Sequence, residues 1–306
     1  MCDEKLFKPL GMNSTGSRHA DFLTHENRAE LHVPIDGKWT ALIKRNPDPQ
    51  APAGGTDSNA RDLAQWMRLV LANGKYNGTQ LIKEEAIAPI HQPLFDRGNP
   101  VTGSHIFYGR GWNVDFGRFG TVWGHAGAFS QGARTVVNLL PAEDLGIVVL
   151  ANAFPTGVPE GLADSFFDLV LAGAPKQDYV KDWNATFDSL FGPAIEAAKK
   201  VYATKPATPS PALPLSAYAG TYANDYLGDA VVAEENGGLV LKLGPDGAKS
   251  APLTHFDRDL FIYYPTAEMP DMPFAVTFAI GPDQNASQVT IDDLNDDGQG
   301  VLARVK

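Results

Sequence analysis

Between Ala203 and Leu215 the chain reads ATKPATPSPALPL, and this run constrains the fold more than any other feature. Four prolines alternate with small residues there. Each fixes φ and lacks a backbone donor, so neither helical nor strand periodicity continues through the run, which reads as a stiff linker. Each flank must then bury a core of its own. The 306 residues allow this, because a chain of that length hides about three-quarters of the surface its unfolded form exposes. The expected organisation is a mixed helix and strand domain over 1–203, a linker over 204–215 and a small all-β domain over 216–306.

Periodicity fills in the first flank. Asp57 or Ser58 is placed to cap a helix whose apolar positions Leu63, Trp66, Met67, Val70 and Leu71 share one face, and Asn73-Gly74 stops it. Strands are expected from Phe107 to Val114, Arg118 to Trp123, Ala133 to Leu140 and Leu145 to Asn152, the last apolar almost throughout, as a buried central strand is. Short links between them predict an antiparallel meander. Helices are expected from Pro159 to Ala172 and from Asp182 to Tyr202. After the linker, Ala230 to Val232, Leu239 to Leu243, Leu260 to Tyr264 and Phe274 to Ile280 are short apolar or alternating runs between Gly, Pro and Asp turns, which predicts a small barrel or sandwich.

Composition excludes several classes of function. A formal charge of -11 with no local Lys/Arg cluster repels phosphates, so nucleic acid is not an expected partner. No apolar run approaches the roughly 20 residues a membrane span needs. The single cysteine, Cys2, allows neither an internal disulfide nor a thiolate metal cluster. No His-Glu-x-x-His pattern supports a catalytic zinc, and Asp293, Asn295, Asp297 and Gly298 begin like a calcium loop but meet Arg304 where that loop needs Glu. Met1 to Phe7 is too short and too charged for a signal peptide, so localisation is left open.

Four short segments occur in a telling order: Phe7-Lys8-Pro9-Leu10-Gly11-Met12, then Ala51-Pro52-Ala53-Gly54-Gly55 with Asp62-Leu63-Ala64, then Tyr108-Gly109-Arg110-Gly111-Trp112, then Trp123-Gly124-His125-Ala126-Gly127-Ala128. In that order they resemble the PLGM, PAGG…DLA, YGxGW and GHxG motifs of the penicillin-recognising serine hydrolases, the family of serine β-lactamases, penicillin-binding proteins, esterases and D-aminopeptidases. Leu140-Pro141 and Ile147 to Asn152 continue the resemblance, which covers about Lys5 to Leu171. Tyr218 to Tyr264 resembles a small β domain often appended to these hydrolases. The resemblance implies an α+β fold with an antiparallel sheet and flanking helices, N-terminally incomplete, followed by the barrel-like domain. It also implies an acyl-serine route on an ester, amide or β-lactam, with a small-molecule or peptide substrate and neither metal nor organic cofactor. Complete members are often exported.

With that strand expected to end at Trp123, His125 is predicted at a strand end beside small residues, where a ligand can approach the backbone. The resemblance places His125, Gly127 and Ala128 in the catalytic site, with the Ala128 amide helping to form an oxyanion hole, and suggests Tyr108 and Trp112 as pocket walls. The family also needs Ser-x-x-Lys for the nucleophile and Tyr-x-Asn for its proton, both ahead of the PLGM segment. No serine here has lysine at the third position after it, and the one Tyr-x-Asn match, Tyr222-Ala223-Asn224, lies beyond the linker. Loss of a nucleophile costs on the order of a million-fold in serine proteases. The isolated chain is therefore expected to be inactive, as a fragment or as a non-catalytic binding or accessory protein derived from the family. A sheet lacking the family's first strands is expected to capture a strand-completing partner or to self-associate. A third reading, an α/β-hydrolase elbow at Ser130, requires a helix directly after Gly132.

Overall fold

In a computed structural model describing residues 1–35, 37–41, 44–98, 105–265 and 272–305, six strands cross one antiparallel sheet in chain order. They are Phe95–Asp96, Ile106–Tyr108, Asn113–Gly117, Gly120–Phe129, Ala133–Leu140 and Leu145–Ala151. This is the expected meander, and with its helices it forms the β-lactamase-like α+β fold that the motifs imply. The sheet belongs to a compact unit, Met1–Ser189, and a second unit spans Leu190–Lys306, the division falling inside the Tyr179–Ala203 helix.

Two strand boundaries differ from expectation. The run from Phe107 to Val114 is not one strand, because its two glycines turn it into a hairpin. The Gly109 N–H donates to the Trp112 carbonyl at 2.7 Å, and Gly111 sits at φ 85°, where a side chain would be strained. The next strand starts at Gly120 and continues to Phe129, well past Trp123. Gly124, Ala126, Gly127 and Ala128 have little strand propensity of their own, but pairing with Ala133–Leu140 from Trp123↔Leu139 to Phe129↔Ala133 holds them in the ladder.

The Ala60–Leu71 helix packs on the sheet through Met67, Val70, Ala64, Trp66 and Leu71, which meet Leu139, Val137 and Val148. Its cap is Asn59, whose side chain accepts from the Asp62 N–H at 2.9 Å. Asp57 and Ser58 are otherwise engaged: the Asp57 backbone pairs with Gly16 and the Ser58 hydroxyl bonds Thr15 at 2.7 Å. Asn73, at φ 49°, and Gly74 end the helix as expected, the Gly74 N–H reaching the Leu69 carbonyl. The PLGM segment covers the helix's other flank, with Phe7, Leu10 and Met12 buried against Leu69.

Aromatic stacking fixes the register of helix on sheet. Trp66 stacks on Trp112 at 5.3 Å between centroids, and His91 stacks on Trp123 at 3.7 Å with its edge toward Trp112 at 4.8 Å. Such contacts contribute about 1 kcal/mol each beyond burial. On the sheet's far side the Val158–Ala172 helix packs against the last two strands. A buried carboxylate, Asp168, receives Arg118 at 2.8 Å, the Tyr179 hydroxyl at 2.5 Å and the Lys176 N–H at 3.0 Å, which ties this helix to the Arg118 turn and to the following helix.

The second unit is an eight-stranded antiparallel barrel, closed by pairing of Gly220–Asn224 with Val301–Arg304. Alternate residues such as Ala230 and Val232, Leu239 and Leu241, and Val276 and Phe278 fill its interior. Tyr222 is buried and donates to the Tyr218 carbonyl at 2.6 Å, while the Asn224 amide bonds the carbonyls of Gln299 and Val301. The Tyr-x-Asn triplet is thus part of the barrel's closure. Arg304 completes it by donating to the Ala217, Ala219 and Ala286 carbonyls. In the Asp293 to Gly298 turn, Asp293 accepts from the Tyr263 hydroxyl and Asn295 from the Gly300 N–H, both within the barrel.

His91 gives the first unit a pH-dependent stability. Its ring is buried between indoles, its Nε2 has no hydrogen-bond partner among the described residues, and burial lowers its pKa from 6.5 to about 4. Because the folded pKa lies below the unfolded one, the contribution is fully present above pH 6.5 and is lost as pH falls toward 4, by at most about 3 kcal/mol. Urea unfolding followed by Trp fluorescence should show this loss. His91→Phe, which keeps a ring on Trp123, should flatten the dependence between those limits.

Candidate active site

The strand carrying His125 is paired on both edges only as far as Gly124. Asn113–Gly117 accompanies it from Gly117↔Gly120 to Asn113↔Gly124 and then turns away, while Ala133–Leu140 continues along the opposite edge. Beyond Gly124 no strand among the described residues covers the first edge of His125 to Phe129. Alternate N–H and C=O groups point outward from such an edge. Because Gly127 and Ala128 place almost nothing above them, an extended ligand can reach this backbone.

Side-chain alternation puts His125 on the same face as Trp123, the face that packs on the Ala60–Leu71 helix, one step beyond the aromatic core. His125 is exposed, and its Nε2 lies 3.2 Å from the Tyr108 hydroxyl, the rings meeting edge to face at 6.0 Å. Partial desolvation of the ring lowers the His125 pKa against a hydrogen bond with the Ala126 backbone that raises it, and the positive charge of Arg97 adds a smaller lowering. Either group can donate in this contact, according to which ring nitrogen carries the proton. Further along the strand, Phe129 touches the PAGG turn, where a Cβ on Gly54 would stand 3.1 Å from the Phe129 ring, and Arg45 lies over the same ring at 4.2 Å.

The structure therefore brings together four of the five residues the sequence pointed to: His125, Gly127 and Ala128 on one open strand, and Tyr108 against His125. Trp112 is elsewhere. It is buried in the aromatic core on Trp66 and His91, where its indole holds the helix to the sheet. Sequence reading missed Arg97 and Asn113, whose side chains hydrogen-bond at 3.0 Å, with the guanidinium 5.5 Å from the centre of the Tyr108 ring. No motif marks Arg97, which lies 11 positions before Tyr108.

The elbow reading of Ser130 fails on context, because the residues after Gly132 form the Ala133–Leu140 strand instead of a helix. Gly132 sits at φ 123°, and a Cβ there would meet the His32 backbone N at 2.3 Å. The turn is thus shaped by close backbone packing against His32.

A β-lactamase-like fold of this kind belongs to a serine hydrolase-type family. Residues 1–170 match the model of the Beta-lactamase family, and the chain belongs to that family. Residues 204–302 match a domain of unknown function, DUF3471. Among solved structures, the C-terminal domain of penicillin binding protein Rv0907 is 35% identical over 33% of this chain and 94% of that one, with a TM-score of 0.30. The octameric penicillin-binding protein homologue from Pyrococcus abyssi is 16% identical over 95% of this chain and 57% of that one, with a TM-score of 0.46. A class C beta-lactamase is 14% identical over 50% of this chain and 45% of that one, with a TM-score of 0.36. The chain thus spans about half the length of the latter two. No curated protein matches it.

The packing at Gly132 leads to a stability test. Gly132→Ala combines an unfavourable φ with a backbone clash and should cost about 2 kcal/mol or more. Gly127→Ala, whose Cβ would meet only the Thr135 hydroxyl at 2.9 Å, should cost less than half as much. Thermal melts of the two variants compare them directly.

Proposed function

We propose that this chain supplies the substrate-facing wall of an acyl-transfer site that acts on an ester, an amide or a β-lactam. The observation that carries the reading is the uncovered edge of His125 to Phe129 with Tyr108 hydrogen-bonded to His125. An acyl group lying along that edge would take hydrogen bonds from its amides, with Gly127 and Ala128 leaving room and the Ala128 N–H directed at the carbonyl oxygen. A preorganised backbone donor of this kind contributes about 3 kcal/mol to a transition state in which the oxygen becomes negative.

The wall does not itself attack the carbonyl. No serine in these 306 residues is followed by lysine at the third position, and the Tyr-x-Asn triplet is built into the barrel. We therefore assign nucleophilic attack to a polypeptide segment carrying Ser-x-x-Lys and Tyr-x-Asn, and to the chain alone ligand binding without turnover. That second role, a binding or accessory protein, is favoured by the same missing serine.

A surface for such a segment exists on the first unit. Leu145–Ala151 is wholly apolar, yet, contrary to the buried central place its composition predicts, it ends the sheet and buries none of its residues fully. The Val158–Ala172 helix beside it leaves Leu162 at 45% and Leu169 at 53% exposure. Exposed leucines beside an uncharged strand edge suit an added β-strand with an apolar face, supplied by another polypeptide or by a second copy.

Incubation with benzylpenicillin or a fluorophosphonate probe followed by intact-mass measurement should give no adduct on the isolated chain. Adding a segment with the two motifs, fused or separate, should create labelling at its serine. A stoichiometric adduct on any serine of the chain itself would refute the assignment.

A further inference from the structure

The loop after the PLGM segment and the turn before the Ala60–Leu71 helix enclose a cavity of about 220 Å³ on the first unit. Its lining residues all fall within 14–29 and 57–59, so none of them belongs to the six-stranded sheet or to the open strand. Phe22 gives it an apolar wall, and Glu26, Arg28 and Asp57 give it charges of both signs. Sites for drug-sized molecules measure roughly 300–1,000 Å³, so this one suits a smaller ligand.

Asp57 is held in this cavity unsatisfied. Its backbone exchanges two hydrogen bonds of 3.1 Å with Gly16, and its carboxylate rests against that glycine, where a Cβ would stand 3.3 Å from Oδ1. No other residue among those described donates to the carboxylate. Desolvation raises its pKa, against the opposing pull of its own backbone amide and of His25. The capping side chains that follow are already engaged, Ser58 with Thr15 and Asn59 with the Asp62 N–H. A half-buried carboxylate short of donors is destabilising until a donor arrives. Arg28 is equally available. It donates to the Leu23 carbonyl and lies 5.9 Å from the centre of the Phe22 ring, but it forms no ion pair among the described residues, and most of its five donors stay unused. Opposite charges that line one cavity without pairing are both open to a ligand that carries both signs.

We propose that this cavity binds a small zwitterion, an amino acid whose ammonium group is held by Asp57 and whose carboxylate is held by Arg28. Exposed Glu26 adds to the negative field around the ammonium group, and Phe22 covers the aliphatic part of the ligand. The site is independent of the acyl-binding edge.

The test uses the full chain labelled with ¹⁵N-histidine, the resonance of His25, which lines the cavity, being identified by its loss in His25→Gln. Glycine, β-alanine and γ-aminobutyrate, whose charges stand progressively further apart, are titrated beside the singly charged butylamine and butyrate. At least one amino acid should shift the His25 signal saturably, and butylamine and butyrate should each bind at least about 5-fold more weakly than that amino acid. Asp57→Asn and Arg28→Gln should each weaken its binding at least about 5-fold, and Arg28→Lys should restore most of the loss. Asp57→Asn keeps the side chain's shape and removes an unpaired charge, so its thermal melt should lie at or above that of the wild type. No saturable shift with any of the three amino acids would overturn the proposal. Butylamine or butyrate binding as tightly as the amino acid would overturn it too, as would binding unchanged in folded Asp57→Asn and Arg28→Gln.

Discussion

The stack of Trp66 on Trp112, with His91 wedged against Trp112 and Trp123, joins a helix, a hairpin and the central strand of the first unit. Four rigid rings in successive contact leave little freedom for the helix to slide on the sheet. The candidate site inherits that fixity, since His125 follows Trp123 by one side-chain alternation and Tyr108 begins the turn that delivers Trp112. On the helix's outer side, Asp62 accepts from the Ser14 N–H at 2.8 Å and the Thr15 hydroxyl at 2.9 Å, so the first residues of the chain are tied to the same frame. A buried carboxylate tolerates its position because several donors converge on it.

The two units treat sheet edges in opposite ways. The barrel has none, because its last strand pairs with its first and Arg304 ties the seam through three carbonyls. The six-stranded sheet keeps two kinds of open edge. That of Leu145–Ala151 is lined by large apolar residues and suits another polypeptide, whose burial would be driven by area. Along His125 to Phe129 the strand carries glycine and alanine, which offer little area but free access to backbone donors. The first chemistry favours stable association and the second favours a small polar ligand.

Periodicity and punctuation along the chain make most of this architecture legible. The Ala60–Leu71 helix, the Ala133–Leu140 strand and the meander follow from apolar spacing and short links, and the barrel follows from short runs between turns. The cap at Asn59 is not legible in the same way, since three consecutive residues, Asp57, Ser58 and Asn59, all have capping side chains and only tertiary contacts with Gly16 and Thr15 choose among them. Likewise, an aromatic after a glycine turn serves equally as a pocket wall or as core, and Trp112 is core because Trp66 and His91 meet it from elements distant in sequence. Motif order locates the open strand, but motifs record residues near one another in the chain. Arg97 comes to Tyr108 and Asn113 through strand pairing, which leaves no local signature.

That difference bears on how a site of this kind acquires selectivity. Backbone donors on an open strand are the same whatever the ligand, so they can stabilise a developing oxyanion without distinguishing one acyl compound from another. Discrimination must come from side chains placed around the strand, where a single fixed charge or a lost hydrogen bond changes affinity more than an added methylene does. Around His125 the neighbouring polar side chains, Tyr108 and Asn113, arrive from the shorter strands at one margin of the sheet, with Arg97 just after the first of them, while His125 to Phe129 lie on a long strand between the aromatic core and its partner. Tyr108 and Asn113 also bound the hairpin that delivers Trp112, so a change in their backbone pairing reaches the aromatic core, whereas a change confined to the tip of a side chain does not.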